Sequence, residues 1–434
     1  MTGGVNDQQF SRGYLAYAAG LLFVVNMVNY MDRSIIGVLI EPMRKDLAFS
    51  DTQIGLLTGF AFAAFYAVAG LFIAYLADLH SRRLIMCASI VVWSAMTAVT
   101  GAAQSFWYVL LARMGVGIGE AGVIPASYAL LADYHAPERR ALAMGIFTAG
   151  AMAGVMAGSI VGGFVAEAHG WRWAFVVAAA PGLPLAILLA LTLREPARGA
   201  SEGLAPIEPL GFFPSLRTVF SNRAAMLLIV GFAFITFMLF GVITWFPAFL
   251  IRRFGVDLIT VGTYFGVAAG VGTAVGTVLG GLIANRLAAR DLRWLVRIPM
   301  VVTLLMFPIY ELAIFAPDFT TSLLLLALVS ALGGCAYGPV LAAVQTALPP
   351  NLRATGAAVN GFMSSLIGIG SAPLIVGMLS DAYSAHYGSV VALQRALSMA
   401  VSVAVIGFLF LLFANRAFGE RLRSAVPAHL ALRT

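Results

Sequence analysis

The sequence predicts an all-α, polytopic membrane protein with twelve transmembrane helices in two pseudo-symmetric six-helix halves. Three observations predict this fold class. Apolar residues make up 61% of the 434 residues and charged residues only 10%. A soluble protein of this length needs far more polar residues to cover its surface, so the composition indicates a membrane protein. Apolar runs of about 20 residues recur along the chain, which is the length of a helix that crosses a bilayer. Finally, two motifs of the first half return in the second half.

The apolar segments give the positions of the predicted helices. We expect twelve spans, centred on residues 14–41, 52–77, 83–103, 106–133, 138–167, 172–193, 224–251, 259–286, 296–315, 320–347, 354–383 and 390–415. One long connection separates spans six and seven, and its prolines and glycines exclude a continuous helix. The predicted organisation is therefore an N-terminal half (1–194), a cytoplasmic linker (195–222) and a C-terminal half (223–434).

The two halves repeat a pair of motifs. Asp78 and the arginines after it follow span two, and Asn285 stands in an equivalent run after span eight, 207 positions later. The run before span five, ending in Arg140, is echoed before span eleven by a run ending in Arg353, 213 positions later. Two motifs at nearly the same offset indicate a duplicated six-helix unit, which is the architecture of alternating-access carriers.

The basic residues are distributed unevenly between the two sides of the predicted bundle. Of 26 Lys and Arg residues, two lie inside spans and six lie on the side opposite to the N-terminus, namely Arg44, Lys45, Arg172, Arg252, Arg253 and Arg395. The remaining 18 lie on the N-terminal side. The positive-inside rule therefore places both termini in the cytoplasm. The net charge of +7 thus reflects topology, and we expect no nucleic-acid partner.

Four charged residues fall inside the first and fourth spans: Asp32, Arg33, Arg113 and Glu120. An ionisable group in the middle of a membrane span costs at least about 2.5 to 3.5 kcal/mol unless it has a partner or a polar cavity. Two charges of each sign therefore predict a polar cavity inside the helical bundle. A permanent charge network that ties the two spans together is the alternative interpretation.

The spacing of these charges predicts how they meet. Arg113 and Glu120 are seven residues apart and share one face of span four, and Gly117 between them leaves a groove for a helix, water or ligand. Counting from the helix ends at about 1.5 Å per residue brings Asp32 level with Arg113. We therefore expect Asp32 to face Arg113 and Arg33 to reach Glu120. Burial raises the pKa of a carboxylate and a neighbouring arginine lowers it. A carboxylate that separates from its arginine and later rejoins it therefore takes up and releases a proton, so Asp32 and Glu120 are the candidates for proton coupling.

The motifs resemble those of a known family over nearly the whole chain. The run 74–83 is similar to the Gly-x-x-x-Asp-Arg-x-Gly-Arg-Arg signature of the major facilitator superfamily, with Ala74, Leu79 and Ser81 as departures. The run 154–163 is similar to the Gly-rich antiporter signature, although Ser159 replaces its proline. The runs 29–34, 117–121 and 170–175 look most like the spinster branch, in particular its bacterial members. The resemblance implies the major facilitator fold and, as a substrate class, lipids such as sphingosine 1-phosphate or lysophospholipids.

Two further groups of residues are candidates for functional roles. The first group consists of charges at the cytoplasmic ends of helices. They can clamp spans across the two halves as a cytoplasmic gate, or they can simply set the topology. These residues are Asp78, Arg82, Arg83, Asp133, Arg139 and Arg140. The polar and aromatic positions that can line the cavity, or belong to the ordinary core, are Asn29, Tyr30, Thr236, Trp245, Tyr337 and Asn360. Arg33 and Arg113 are the candidate substrate anchors or charge partners, because an arginine binds phosphate or carboxylate through two parallel hydrogen bonds.

Other classes of function fit the sequence less well. All five histidines fall in loops, at span ends or in the tail, and neither a nucleotide loop nor a cluster with metal-ligand spacing is present. We therefore expect no enzyme activity, no cofactor and no metal. The duplicated halves favour a carrier over a channel. The predicted function is proton-coupled transport of an amphipathic, anionic lipid by a monomer in the bacterial inner membrane, and the alternative is a proton-coupled symporter of small organic anions.

Overall fold

The computed structural model describes residues 10–135, 137–196, 212–349 and 352–425. Within these ranges the chain is helical and contains no strand, which confirms the all-α class. In chain order the α-helices are α1 (Arg12–Leu47), α2 (Asp51–Gly55), α3 (Ala61–Leu79), α4 (Arg82–Gly101), α5 (Phe106–Glu120), α6 (Val123–Tyr134), α7 (Pro137–His169), α8 (Trp171–Ala179), α9 (Gly182–Thr192), α10 (Phe212–Ser221), α11 (Arg223–Phe254), α12 (Leu258–Ala288), α13 (Trp294–Ile314), α14 (Phe319–Ala347), α15 (Arg353–Met363), α16 (Ser371–Ser402) and α17 (Ala404–Ala425).

These helices supply the twelve predicted spans. Eleven described helical segments are long and apolar enough to cross a membrane, and the last of them, Thr355–Arg423, has 69 residues. That segment turns at Gly388, where φ is 73° and ψ is 161°. Because about 20 residues suffice for one crossing, this segment accounts for spans eleven and twelve.

The helices group into two compact units. The first unit comprises Met1–Pro206 together with Thr244–Gly270, and the second comprises Ile207–Ile243 together with Val271–Thr434. The unit boundaries therefore fall inside the predicted linker and inside α11 and α12. The division of the sequence at residues 194 and 223 stays a prediction based on the repeat.

Close helix contact in the first unit rests on glycine. In α7, an added Cβ at Gly150 would lie 2.4 Å from the Phe23 carbonyl oxygen of α1, and one at Gly154 would lie 2.3 Å from the Met27 carbonyl oxygen. Gly158 approaches Met31 in the same way. The four-residue spacing of these glycines puts them on one face of α7. The stripe is therefore a packing surface against the helix that holds Asp32 and Arg33.

Span four is interrupted in the middle. Its first part, α5, ends at Glu120, and its second part, α6, begins at Val123. Pro125 explains the break, because a proline has no N–H to donate to the carbonyl four residues earlier and its ring clashes with that carbonyl. The interruption was not foreseen from the sequence, which predicts one continuous span. It leaves Glu120 as the last residue of a helix inside the bundle.

Two π-helical segments also interrupt regular spans. One covers Leu56–Phe60 between α2 and α3, and the other covers Ser364–Gly370 between α15 and α16. Wider turns of this kind occur inside α-helices, frequently at functional sites. The second segment begins one helical turn after Asn360, which the sequence predicts as a cavity residue.

Candidate functional site

The four predicted charges come together inside the first unit. Asp32 and Arg33 lie on α1, while Arg113 and Glu120 lie on α5. Asp32 is 1% exposed, Arg113 2% and Glu120 0%, and the Arg33 side chain is 16% exposed. Three of the four charges are therefore buried, and Arg33 is partly exposed.

Arg33 pairs with Glu120 as the spacing predicts. Arg33 Nε donates to Glu120 Oε2 in a direct salt bridge. Its guanidinium also packs against three aromatic rings, with centroid distances of 5.1 Å to Tyr30, 4.8 Å to Phe62 and 4.7 Å to Tyr66. Cation–π contacts of this kind add stabilisation to a guanidinium that is removed from water. Of the three rings, only Tyr30 is a candidate site residue from the sequence.

Asp32 bonds differently from the prediction. Thr97 Oγ1 on α4 donates to Asp32 Oδ2 at 2.7 Å, and Thr97 itself is 1% exposed. Arg113 interacts electrostatically with Asp32 and Glu120, but among the described residues it forms no salt bridge within 4.0 Å. Asp32 and Arg113 thus interact without a direct hydrogen-bonded pair.

Arg113 is a buried cation with spare donors. Its guanidinium lies 5.4 Å from the centroid of the Phe62 ring. Nε and Nη1 are buried and have no hydrogen-bond partner among the described residues. The Phe62 ring thus touches both arginines of the site. Because a buried polar group without a partner is costly, this arrangement suits an anionic ligand.

Other buried polar atoms of the same region are also unsatisfied. Within the described ranges, the Asn29 amide has no partner for its nitrogen or its oxygen, and Asp32 Oδ1 and Glu120 Oε1 have none. Asn29 is fully buried, and its role in lining a cavity stays a prediction. The unsatisfied atoms comprise both donors and acceptors, so the site can hold a polar ligand, water or a proton.

Glycines of α5 let neighbouring helices close around the site. An added Cβ at Gly117 would lie 2.7 Å from the Phe62 carbonyl oxygen and 3.3 Å from the Tyr66 nitrogen. One at Gly119 would lie 2.5 Å from the Trp93 nitrogen of α4. The groove predicted at Gly117 is therefore filled by the backbone of α3, which brings the Phe62 and Tyr66 rings to the arginines.

The predicted cavity residues of the second unit are more scattered. Asn360 is 4% exposed and Ser364, one turn later, is 8% exposed; each has one oxygen without a partner among the described residues. Thr236 donates to the Phe232 carbonyl of its own helix at 2.9 Å. Tyr337 is half exposed and its ring lies 5.5 Å from that of Phe232. Trp245 belongs to the first unit and is fully buried.

Several predicted gate residues form a cluster of salt bridges and hydrogen bonds inside the first unit. The Arg82 side chain donates to Asp133, to Glu195 at 2.8 Å and to the Pro196 carbonyl at 3.0 Å. Arg83 Nη1 donates to the Leu193 carbonyl at 3.0 Å. Glu195 was not foreseen as part of this cluster. These contacts join α4, α6 and the chain after α9, and a role as gate between the halves stays a prediction.

The remaining gate residues behave differently from one another. Arg140 Nε donates to the carbonyl oxygens of Ala132 and His135 at the end of α6, at 3.0 and 3.2 Å. Arg139 is exposed. The side chain of Asp78 lies outside the described residues.

A further ion cluster lies at the opposite ends of the helices. Arg252 of α11 donates to both carboxylate oxygens of Asp51, at 2.7 Å each, and to Glu41 at 2.5 Å. The three side chains are 4%, 7% and 4% exposed. From the sequence, Arg252 is expected only on the side of the membrane opposite to the N-terminus. Its pairing with Glu41 and Asp51 could not be predicted, because nothing in the sequence indicates which distant carboxylates it contacts.

Comparison with known proteins identifies the family. The model of the Major Facilitator Superfamily matches residues 22–373. The chain belongs to the major facilitator superfamily. Crystal structures of a bacterial homolog to the human lysosomal transporter Spinster have a similar fold. The inward-facing, unoccupied structure has a TM-score of 0.86 and 30% identity over 95% of this chain and 99% of that chain. The inward-facing, occupied structure has a TM-score of 0.83 and 28% identity at the same coverage.

Curated relatives agree with this assignment. An MFS-type efflux pump of Mycolicibacterium smegmatis is 36% identical over 387 residues, which are 89% of each protein. Human Protein spinster homolog 1 is 32% identical over 248 residues, which are 56% of this chain and 47% of that protein. This match thus spans about half the length of the human protein. The chain is a multi-pass membrane transporter of the spinster branch, similar to bacterial members, and is not an enzyme.

Proposed function

We propose that this transporter moves an amphipathic, anionic lipid of the sphingosine 1-phosphate or lysophospholipid class by alternating access, coupled to protons through Asp32 and Glu120. It acts as a monomer in the bacterial inner membrane with both termini in the cytoplasm. The proposal rests on Arg113, a buried cation with two N–H groups that lack an acceptor among the described residues. The anionic head group of the substrate supplies that acceptor.

The surroundings of the two arginines favour an amphipathic substrate. A guanidinium binds phosphate or carboxylate through a planar fork of donors. Phe62 touches both guanidiniums, and Tyr66 touches that of Arg33. The head group therefore meets cations beside apolar rings, against which the start of a hydrocarbon chain can pack. A small organic anion would use the same arginines but leave those rings without an apolar partner.

Proton coupling follows from the different bonding of the two carboxylates. Protonation of Glu120 neutralises the partner of Arg33, and the released guanidinium can then bind the head group. Asp32 bonds a neutral hydroxyl rather than an arginine, so it can accept a proton without breaking a salt bridge. The Glu120 carboxylate and the anionic head group thus compete for Arg33, so protonation of Glu120 favours binding of the substrate, which is the physical basis of coupled transport.

The names of two relatives bear on the direction of transport. The Mycolicibacterium smegmatis relative is called an efflux pump, and the human relative of the solved bacterial homolog is called a lysosomal transporter. The first name describes export and the second describes transport without a direction. A proton-coupled symporter of small organic anions remains the second candidate, and the experiment below separates the two.

Counterflow in proteoliposomes tests the proposal. Labelled lysophospholipid or sphingosine 1-phosphate is followed with and without an imposed pH gradient, for the wild type, for Glu120→Gln and for Glu420→Gln. Glu420 is an exposed glutamate of α17 and serves as the matched control. We expect gradient-dependent transport in the wild type and the control, and its loss in Glu120→Gln.

Two outcomes would contradict the proposal separately. A wild type that ignores these lipids under every gradient eliminates the lipid class and makes small organic anions the next panel. Gradient dependence that survives in Glu120→Gln eliminates the coupling role of that carboxylate and leaves the substrate class intact.

A further inference from the structure

A cavity of about 240 Å³ lies in the first unit where α1 and α7 begin. Its walls are formed by Arg12, Leu15, Ala16, Ala19, His135, Arg139, Leu142, Ala143 and Ile146. Arg12 precedes Asp32 by 20 residues on the same helix, which corresponds to about 30 Å. The cavity is therefore separate from the site that contains the four buried charges.

The polar end of this cavity is positively charged. Arg12 and Arg139 are both exposed, and neither forms a salt bridge with any of the side chains that the structure describes. Each lies in the first turn of its helix, where the partial positive charge of the helix N-terminus disfavours a cation. Two arginines at two helix N-termini, without an acidic partner among the described side chains, create a local positive potential, which favours an anion between them.

Apart from His135, the remaining wall of the cavity is apolar and open. Leu142 is 70% exposed and Ile146 is 39% exposed, and Leu15, Ala16, Ala19 and Ala143 complete the surface. Pockets for whole drug-sized ligands measure about 300 to 1,000 Å³, so this cavity fits a head group with the first part of a chain. A soluble inorganic anion would make no use of the apolar wall.

The position of the cavity matches the head-group level of a membrane. Arg12 is the first residue of a candidate span, and Arg139 lies three residues before the start of another, Leu142–His169. Both belong to the side of the chain that is rich in basic residues. Basic pockets between transmembrane helices on this side are suited to anionic lipid head groups.

We propose that this cavity binds the head group of an anionic phospholipid from the surrounding leaflet. Its phosphate lies between Arg12 and Arg139, and its acyl chains run along Leu142 and Ile146. The bound lipid is a partner of the protein rather than the transported substrate, so the proposal does not depend on which substrate is moved.

Binding of dioleoylphosphatidylglycerol to the purified, delipidated transporter tests this site. The lipid is titrated in zwitterionic micelles, with dioleoylphosphatidylcholine and inorganic phosphate as the comparison ligands, and binding is followed by native mass spectrometry. The variants are Arg12→Gln, Arg139→Gln and the double substitution. The control is Arg286→Gln with Arg290→Gln, which removes two exposed arginines and thus the same net charge.

We expect phosphatidylglycerol to bind the wild type and the control equally. Each basic residue near an anionic lipid contributes to its binding, so each single substitution should lower the affinity for phosphatidylglycerol by about fivefold. The double substitution should lower it by about thirtyfold. Leu142→Asn should weaken phosphatidylglycerol binding while leaving both arginines in place, which separates a lost lipid contact from a lost charge. Size-exclusion profiles check that each variant is folded.

Three results would overturn the proposal. The first is equal binding of phosphatidylglycerol and phosphatidylcholine. The second is an equal loss of affinity in the control, which would indicate diffuse electrostatic attraction. The third is that inorganic phosphate alone binds with the same dependence on Arg12 and Arg139, while Leu142→Asn leaves the binding of phosphatidylglycerol unchanged. That result would assign the cavity to a soluble anion.

Discussion

Thr97 is an uncharged residue that fixes one of the four buried charges. Its hydroxyl lies in α4 and donates to Asp32 Oδ2 at 2.7 Å, and both residues are 1% exposed. A hydrogen bond to a buried charged group is stronger than one between neutral groups. The hydroxyl therefore sets the orientation of the carboxylate that we propose as one of the proton carriers.

We predict that Thr97→Val impairs proton-coupled transport and that Thr97→Ser preserves it. Valine removes the donor without a large change in volume, and hydrogen bonds to charged groups contribute about 1.5 to 3 kcal/mol. Gradient-driven uptake should fall by about tenfold or more. Equal uptake by Thr97→Val and the wild type would show that this bond has no part in coupling.

Glu195 is a second residue whose partners decide its behaviour. Burial opposes ionisation, but hydrogen bonds from the Arg82 side chain, the Arg83 N–H and the Ser81 hydroxyl hold the pKa of Glu195 below its ordinary value of 4.5. A carboxyl with a lowered pKa stabilises the folded state above its ordinary pKa. That contribution is lost as the pH falls through the pKa of the folded state.

We therefore predict a pH-dependent difference between the wild type and Glu195→Gln. The melting temperature of the wild type should exceed that of the variant at about pH 7, and the difference should shrink below about pH 4 as Glu195 takes up a proton. Thermal unfolding in detergent over this range measures it. A difference that is constant with pH would mean that the charge of Glu195 does not stabilise the fold.

At the scale of the elements, the contact between α1 and α7 holds the charged face of α1 in place. The glycine stripe of α7 touches the backbone of α1 along three turns, at Gly150, Gly154 and Gly158. Small residues at such positions let transmembrane helices approach closely. The stripe thus fixes the rotation of α1, which decides where Asp32 and Arg33 lie.

We predict that Gly154→Ala destabilises the transporter and that Gly145→Ala does not. The new Cβ of Gly154→Ala would lie 2.3 Å from the Met27 carbonyl oxygen and 3.0 Å from the Met31 nitrogen. Overpacking of this kind costs about 1 to 3 kcal/mol. A Cβ at Gly145 meets no atom within 4 Å, so that variant should gain the usual helix stabilisation of about 0.5 to 1 kcal/mol. Equal melting temperatures would contradict this account.

At the scale of the whole molecule, the Arg252 cluster joins distant parts of the chain within one unit. It connects α11 to the end of α1 and the start of α2, and it lies with residues 244–270 in the first unit. The planar guanidinium binds Asp51 through two parallel bonds, which lysine cannot reproduce.

We predict that Arg252→Gln lowers stability strongly, because it leaves Glu41 and Asp51 buried without this cation. Removal of one partner from a buried ion pair costs about 3 to 5 kcal/mol. Arg252→Lys should recover only part of that loss. Lys45→Gln, at an exposed lysine close to the cluster in the sequence, is the control. Equal melting temperatures for Arg252→Gln and Lys45→Gln would show that the Arg252 cluster does not stabilise the protein.

Much of the fold and part of the candidate site could be predicted from the sequence. Apolar runs of bilayer length gave the spans, and the seven-residue spacing of Arg113 and Glu120 put both charges on one helix face. The pairing of Arg33 with Glu120 also followed from the helical rise. The partner of Asp32 did not, because a rise per residue fixes depth in the membrane but not the rotation of neighbouring helices. Thr97 lies on a third helix that depth alone does not select.

The sequence by itself determined that this protein crosses a membrane twelve times and buries four charges, because hydropathy and the cost of burying charge depend on residue type and order. Only the tertiary structure decided which groups meet. It placed Asp32 against Thr97, surrounded Arg33 with the Phe62 and Tyr66 rings and joined Arg252 to Glu41 and Asp51. Such contacts depend on how helices distant in the chain rotate and pack, and that geometry is a property of the assembled bundle.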